Sequence, residues 1–527
     1  MINHEDENNH DKTAKRLTEE IRCMNDYKIL YNEIQRVVAS SAVKKDNFKE
    51  TLIEALRNNG VETEIRNTVF HWVRSQRSIQ STSEQTLLNP NLNYLKKAQI
   101  QWERRIHKSL NSICNELNVP LAKIRTNADK EELINKWSEL STYDIDLSLY
   151  RPLYAPKDFL DVLFSVRDPA FKKRINEPNW EFSHIQIRVK TLEQLRGIYT
   201  ELAQGVPLLG VNNDVPAMGN YLNLELERTK FGEKILNSNQ APVAQEFLKR
   251  GAPRALRGRI WSLVLGSVVK DSDKRYYEEL KELVLQYDIM VDKLIIKDVQ
   301  LTASNDDQYF VFEDVLYKTM LCFSRDSEVL TSVTTDRSSG DQVIHAIIQG
   351  KPATIENTLI FPPSGVIPFH GFTMYAAPFC YLYDDPCAMY YTFRAFYLRY
   401  WFRLHTVSCH EQGIVALCLL FERLLQCHEP QLWAHLRNIQ IQPIKIVFKW
   451  IMRGFSGHLP PEQLLYLWDL ILGYDSLEII SLLAVCILSF RKENLLQVNN
   501  LQNVEAILAD LSSLKVMILL QLALIKD

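Results

Sequence analysis

Pro460-Pro461-Glu462-Gln463-Leu464-Leu465-Tyr466-Leu467-Trp468-Asp469-Leu470-Ile471-Leu472-Gly473 sets the fold class of this chain. The paired prolines and the early acid open a helix: proline's fixed φ and missing N–H suit a first turn, and a carboxylate suits the positive end of the helix dipole. Gly473 is placed to end it. Between them Leu464, Leu465, Leu467, Trp468, Leu470, Ile471 and Leu472 cover nearly every face, so the helix is expected to lie centrally and buried. Few runs in this half alternate with period two, and the expected fold is all-α.

Reading outward from that helix, further strings fall in a fixed order. Arg257-Gly258-Arg259-Ile260-Trp261 has the form R-x-x-x-W, Ile295-Ile296-Lys297-Asp298 begins I-x-x-D-x-x-R, and Gly371 to Pro378 reads G-F-T-M-Y-A-A-P. Phe421-Glu422-Arg423-Leu424-Leu425, Leu432-Trp433-Ala434-His435-Leu436 and Leu467-Trp468-Asp469-Leu470 follow. Each string alone occurs by chance, but ordered co-occurrence from Gln245 to Leu495, about half of the chain, is specific. Together they resemble the TBC domain, the fold of Rab GTPase-activating proteins, which is helical.

The resemblance implies two residues inserted into a GTPase from outside: the arginine closing I-x-x-D-x-x-R and the glutamine of Y-x-Q-G. The arginine neutralises charge on the transferring phosphoryl group, and the glutamine amide orients the attacking water. Here Leu301 occupies the first position and His370 the second, with Pro368 where the family has tyrosine. Leucine has neither charge nor donor, whereas an arginine finger contributes on the order of 10³ to 10⁵ in rate, or roughly 4 to 7 kcal/mol. An imidazole both donates and accepts and can hold a water, with a shorter reach than glutamine. Pro368 fixes φ and removes a backbone donor, so the loop is expected to present position 370 differently.

A second frame, Val311-Phe312-Glu313-Asp314, puts Tyr317 at the finger position and restores no charge. Arg325 and Arg337 lie between the two finger sites and are read as solvated loop charges, the alternative being an arginine reaching in from another direction. The segment 331–368, rich in Thr, Ser, Asp, Gly and Pro, reads as an inserted loop, either an unstructured spacer or a piece that orders on a partner. By the resemblance Arg257, Trp261, Asp298 and Gly371 are scaffold and partner-binding residues. Arg257 and Trp261, four apart, share a helical face, and Asp298 is expected to anchor the finger loop through backbone groups or Arg257.

The whole chain bounds the rest. Its 527 residues, 46% hydrophobic, suffice for two or three globular domains. Lys and Arg total 61 against 64 Asp and Glu, which leaves no basic footprint for nucleic acid. Nine scattered cysteines, an odd number without a C-x-x-C pair, read as reduced thiols of a cytoplasmic protein. Cys409-His410 and Cys427-His428 project in different directions, so no metal is expected. No cofactor is expected either, since no Gly-rich phosphate loop appears. The amino terminus, Met1-Ile2-Asn3-His4-Glu5-Asp6, has neither a signal-peptide pattern nor a glycine after Met1, and the last four residues carry no cysteine for prenylation. The longest apolar runs, near Ile479 to Phe490 and Val516 to Ile525, fall short of the roughly 18 residues a membrane span needs. Any membrane association is therefore peripheral, through recruitment to vesicles.

Along the chain we expect an amino-terminal helical segment (1–90), a second helical block (91–205), a Gly/Pro/Asn-rich boundary (206–241), the TBC-like domain (242–495) and a carboxyl-terminal helix (496–527). In the first, Met24, Tyr27, Tyr31, Ile34 and Val38 make an apolar stripe read as ordinary core packing, and Ser78 to Asn93 reads as a linker. In the second, Ile106, Leu110, Ile113 and Leu117 form a stripe beside Lys96, Lys97, Arg104, Arg105 and Lys108. Two readings stand for that basic amphipathic helix: a solvated face above a buried stripe, or a face laid on an anionic membrane.

Three functions remain on these residues. The favoured one is a regulator that binds a GTP-bound Rab-family GTPase with its hydrolysis-promoting machinery weak or absent. The others are an active Rab GTPase activator working by an atypical mechanism, and a helical scaffold independent of GTPase binding.

Overall fold

The computed structural model describes residues 18–19, 22, 27–39, 47–88, 92–139, 147–167, 182–211, 224–334, 345–349 and 358–525. Helices dominate, as the patterning predicts. One hydrophobic core runs from Leu92 to Leu524, drawing in residues of the second helical block, the 242–495 region and the last helix. The elements that shape the site are α1 (Val61–Leu88), α2 (Asn93–Leu117), β1 (Ala122–Ile124), α3 (Pro156–Ser165), α4 (Ala241–Leu248), α5 (Arg257–Leu265), β2 (Tyr287–Ile289), α6 (Met290–Asp298), α7 (Glu313–Arg325), β3 (His345–Gln349), β4 (Thr358–Ile360), α8 (Pro386–Arg399), α9 (Pro443–Met452) and α10 (Pro461–Tyr474).

Helix α10 lies at the centre, and Gln463 through Gly473 are all buried. It does not stop at Gly473 but runs to Tyr474 and is closed by Asp475 in the left-handed region at φ 51°. Gly473 serves packing instead: a Cβ there would sit 2.8 Å from the Lys249 backbone nitrogen at the end of α4. Around Trp468 stand Trp401 (4.9 Å between ring centroids), Phe396 (5.4 Å) and Trp261 (6.3 Å), within the range of tilted aromatic pairs.

Asp475 is where the amino-terminal region is tied in. Arg399 Nε donates to its carboxylate at 2.7 Å, Tyr400 at 2.7 Å, and Arg74 of α1 at 3.1 Å. Burial alone would raise this carboxyl, but Arg399 and Arg74 outweigh it and hold it well below the usual carboxylate range.

Several expectations are corrected. The stripe on Tyr27–Ala39 is not the buried face: among the described residues of that helix only Val37 is buried, while Tyr31 and Val38 are exposed and Met24 lies outside the described residues. The Ser78 to Asn93 stretch is helical to Leu88, a continuation of α1. A helix, Leu224–Ser238, also stands inside the expected boundary at 206–241. The otherwise helical fold carries a small four-stranded sheet of order β2-β1-β3-β4. Strand β1 pairs antiparallel with β2 (Ala122 opposite Ile289) and parallel with β3 (Ala122 opposite Ile348). The expected inserted loop thus supplies two strands, β3 and β4, paired antiparallel. Strands of three to five residues are too short to print a period-two signature.

Candidate functional site

Helix α6 is buried along most of its length, then widens into a π-helical turn, Val299–Ala303, where the chain reaches the surface. Leu301 stands on that turn, 38% exposed. Asp298 ends the helix at 2% exposure, where an ionised carboxylate requires strong partners. It has them: the Gly371 N–H at 2.6 Å, the Thr373 N–H at 2.8 Å and the Thr373 hydroxyl at 2.6 Å. Asp298 is therefore the anchor of the 370 loop through its backbone, and Arg257 is not its partner. Burial raises its pKa, opposed by the Thr373 and Gly371 donors and by His370.

The same carboxylate lies between the two positions that the resemblance gives to the fingers. His370 Nδ1 lies 3.9 Å from Asp298 Oδ1, and Leu301 is three residues beyond Asp298 on the turn packed against the Phe372–Tyr375 segment. The backbone of His370 is pinned on both sides: its N–H donates to the Tyr154 carbonyl at 2.9 Å, and its carbonyl accepts from Arg453 Nη2 at 2.8 Å. Its ring stays half-buried with Nδ1 unpaired, and burial lowers its pKa, with Asp298 opposing and Arg453 reinforcing. The imidazole at this position is thus biased to the neutral form.

Gly371 is glycine for a steric reason. Its φ is +95°, and a Cβ built there would lie 2.1 Å from Arg453 Nη2. Arg453, at the end of α9, packs its guanidinium where that side chain would go, and burial lowers its pKa while Asp298 and Tyr375 oppose the shift. Thr373 stands inside the G-F-T-M-Y-A-A-P string, whereas Arg453 and Tyr154 belong to no motif and reach the 370 loop only in the fold.

Arg257 and Trp261 sit elsewhere. Both grip Asp469 of α10: Arg257 Nε at 3.1 Å, Trp261 Nε1 at 2.7 Å, with the Ala252 N–H at 2.9 Å completing the carboxylate. They are internal supports under the site, connected to the 371–381 segment through the Trp261–Phe379 ring contact at 5.8 Å. Arg325 is neither a solvated loop charge nor a group free to reach into the groove. It is buried and bound to Asp292, with Nη2 to Oδ2 at 2.7 Å and Nη2 to the Tyr287 carbonyl at 2.8 Å. Arg125 of the amino-terminal half shares that acid at 2.9 Å. Arg337 lies outside the described residues. Tyr317, the finger position of the alternative frame, is fully buried and bonded to Glu313, which removes that frame from any groove. Among the described residues no group of three or more His, Cys, Asp or Glu is disposed to hold a metal, and no helix is long and apolar enough to cross a membrane.

Comparison with known proteins gives the family. The Rab-GTPase-TBC domain family matches residues 369–496, beginning one residue before His370. The chain belongs to that TBC domain family. It is 44% identical to human TBC1 domain family member 19 over 507 residues, spanning 94% of this chain and 95% of the human protein. Two solved domains are more distant. The Chlamydomonas flagellar RabGAP TBC domain is 15% identical with a TM-score of 0.37, covering 65% of this chain and 97% of its own. The Ypt/Rab-GAP domain of Gyp1p is 14% identical with a TM-score of 0.42, covering 57% and 97%. The assignment stands on the sequence relation to the human protein.

Proposed function

We propose that this protein binds GTP-loaded Rab-family GTPases through the groove formed by the 299–303 turn and the 370 loop of its 242–495 region, and holds them without strongly accelerating hydrolysis. The observation that carries this reading is Leu301: an uncharged, surface-reaching side chain at the position the family resemblance gives to arginine, on a turn whose anchoring acid, Asp298, is fully engaged. What supports the reading is that the Asp298 anchor of the 370 loop is in place while the residue three positions beyond it carries no charge. A positive fork contributes to a phosphoryl transition state what apolar area does not. Such a protein acts as an effector or competitor, shielding a client from other regulators at vesicle membranes in the cytoplasm.

One observation favours a second reading, that of an atypical activator. Arg453 places a guanidinium against Gly371 and His370, on the finger loop itself. If that group reorients when a GTPase docks, it supplies a cation from the other side of the loop. Binding and single-turnover GTP hydrolysis across a panel of purified Rab proteins separate the two. Nucleotide-dependent binding with no more than a few-fold acceleration is the expected result. Acceleration by the unaltered chain that disappears in Arg453→Lys selects the second reading, and absence of any GTP-dependent binding overturns both in favour of a helical scaffold.

A further inference from the structure

Helix α2 buries Leu110 and Ile113 and turns its basic residues outward. At 3.6 residues per turn Lys97, Arg104, Arg105 and Lys108 fall within an arc of roughly 100°, and all four are exposed, with Lys96 flanking them. None of these five makes an ion pair among the described residues, although the chain as a whole is slightly acidic. Glu103 on the same helix is turned to Gln99, whose amide it accepts at 2.8 Å.

A cleft of about 390 Å³ opens beside this face, between α2 and the end of α3. Lys97, Gln101 and Arg105 line one side, Ser165 and Arg167 the other, and no carboxylate is among its lining residues. The carboxyl end of α3 would bring partial negative charge here, but Arg167 covers it by donating Nη1 to the Phe164 and Val166 carbonyls. The floor is Trp102, 4% exposed, with Arg105 stacked over its ring at 5.8 Å. Its indole N–H is buried and has no acceptor among the described residues. Three cations, Lys97, Arg105 and Arg167, thus wall a cleft floored by an aromatic ring with no acid to balance them, a setting that favours an oxygen carrying negative charge.

We propose that this cleft takes the phosphorylated headgroup of an anionic membrane lipid, with Lys97, Arg105 and Arg167 around the phosphate above the Trp102 ring, and Arg104 and Lys108 resting on the surrounding anionic surface. A free phosphate would satisfy the cleft alone. The basic residues continuing along the helix outside it are what select a membrane surface. The site is also linked to the GTPase-facing loop, because the buried side of Trp102 packs on Tyr154 at 5.1 Å, and the Tyr154 carbonyl holds the His370 N–H.

The test is vesicle co-sedimentation of the full chain, which involves no GTPase and so succeeds or fails independently of the proposed function. Vesicles of phosphatidylcholine alone, with added phosphatidylserine, and with added phosphatidylinositol phosphate are compared, and inositol phosphate and inorganic phosphate serve as soluble competitors. Binding is expected to rank in that order and to fall with salt. Each of Lys97→Gln, Arg105→Gln and Arg167→Gln weakens it about fivefold, since a cation near an anionic surface contributes about that factor. Equal binding to neutral vesicles, or no loss in the triple Gln variant shown folded by circular dichroism, overturns the proposal. Inorganic phosphate binding as tightly as the vesicles overturns the lipid assignment.

Discussion

Restoring the two family residues, Leu301→Arg with His370→Gln, is the perturbation most directly set by the site. Burying a leucine completely contributes about 1.5 to 3 kcal/mol, and Leu301 is 38% exposed, so its loss costs roughly 1 to 2 kcal/mol, part of which the arginine's own methylenes recover. The variant should therefore stay folded. Asp298 neither competes for the new guanidinium nor frees its loop, because its two oxygens are already occupied by Gly371 and Thr373. An arginine that reaches the phosphates contributes on the order of 10³ to 10⁵. A displacement of about 1 Å removes on the order of 10², and with Pro368 and a doubly pinned His370 backbone in the partner loop a displacement of that order is the expectation. The expected gain in single-turnover hydrolysis is thus on the order of 10 to 10³ over the unaltered protein. Most of it should appear in Leu301→Arg alone, since charge stabilisation outweighs water orientation here.

The assay measures phosphate release from the preloaded GTPase with the regulator in excess, alongside the affinity of each variant for the GTP-bound client. Unchanged affinity with a gain in rate establishes that the groove geometry survives and only the charge is missing. A double variant that binds as well as the unaltered chain and adds nothing to the rate refutes the reasoning. So does an unaltered chain that already matches the double variant.

Three further outcomes follow from the same contacts. Asp469→Ala leaves the buried Arg257 uncompensated and orphans Trp261 Nε1 and the Ala252 N–H, so unfolding in urea should show a loss of about 3 to 5 kcal/mol; a loss below about 1 kcal/mol contradicts the support role. Gly371→Ala must both strain a φ of +95° and displace Arg453, so it should destabilise by about 1 to 3 kcal/mol, and Arg453→Ala should relieve part of that cost; strict additivity in the double-mutant cycle refutes the steric account. His71 is held neutral by burial, then by Arg74 and Arg399, with its pKa lowered to about 4 from 6.5. The unfolded chain therefore takes up the proton first, and this contribution to stability is complete above pH 6.5 and declines as pH falls toward 4. Between pH 7 and 5 the loss is about 2 kcal/mol, and comparing the pH dependence of thermal unfolding with that of His71→Gln isolates it; parallel profiles in the two proteins would contradict the assignment.

Much of the fold was legible because helices print their packing on the sequence. The 460–473 stretch announced a central buried helix, and Leu110 and Ile113 sit inward as their spacing required. The failures share a cause. On the Tyr27–Ala39 helix the stripe through Tyr31 and Val38 was the wrong one, since which apolar face is covered depends on the neighbours available, and among the described residues only Val37 is fully buried. Strands β1 to β4 are held by pairing among 122–124, 287–289, 345–349 and 358–360, so their stability lies in tertiary partners rather than in local alternation.

The site divides in the same way. Leu301, His370, Asp298 and Gly371 were readable because they belong to short ordered motifs, but what fixes their geometry does not. Asp292 and Asp298 lie six residues apart on one helix, and each is satisfied from a distance: the first by Arg325 and by Arg125 of the amino-terminal half, the second by the 371–373 backbone. Tyr154 supplies the acceptor for His370, and Arg453 the donor. A buried arginine and a backbone carbonyl carry no motif, and their roles exist only once the chain has folded around them. It follows that residues 242–495 taken alone lose the Tyr154 acceptor, the Arg125 partner of Asp292 and the β1 strand that joins β2 to β3, three contacts that bear on the start and end of helix α6 and on the loop it anchors. The amino-terminal half is therefore part of what shapes the proposed GTPase site, and the full chain is the unit in which position 301 has the presentation described.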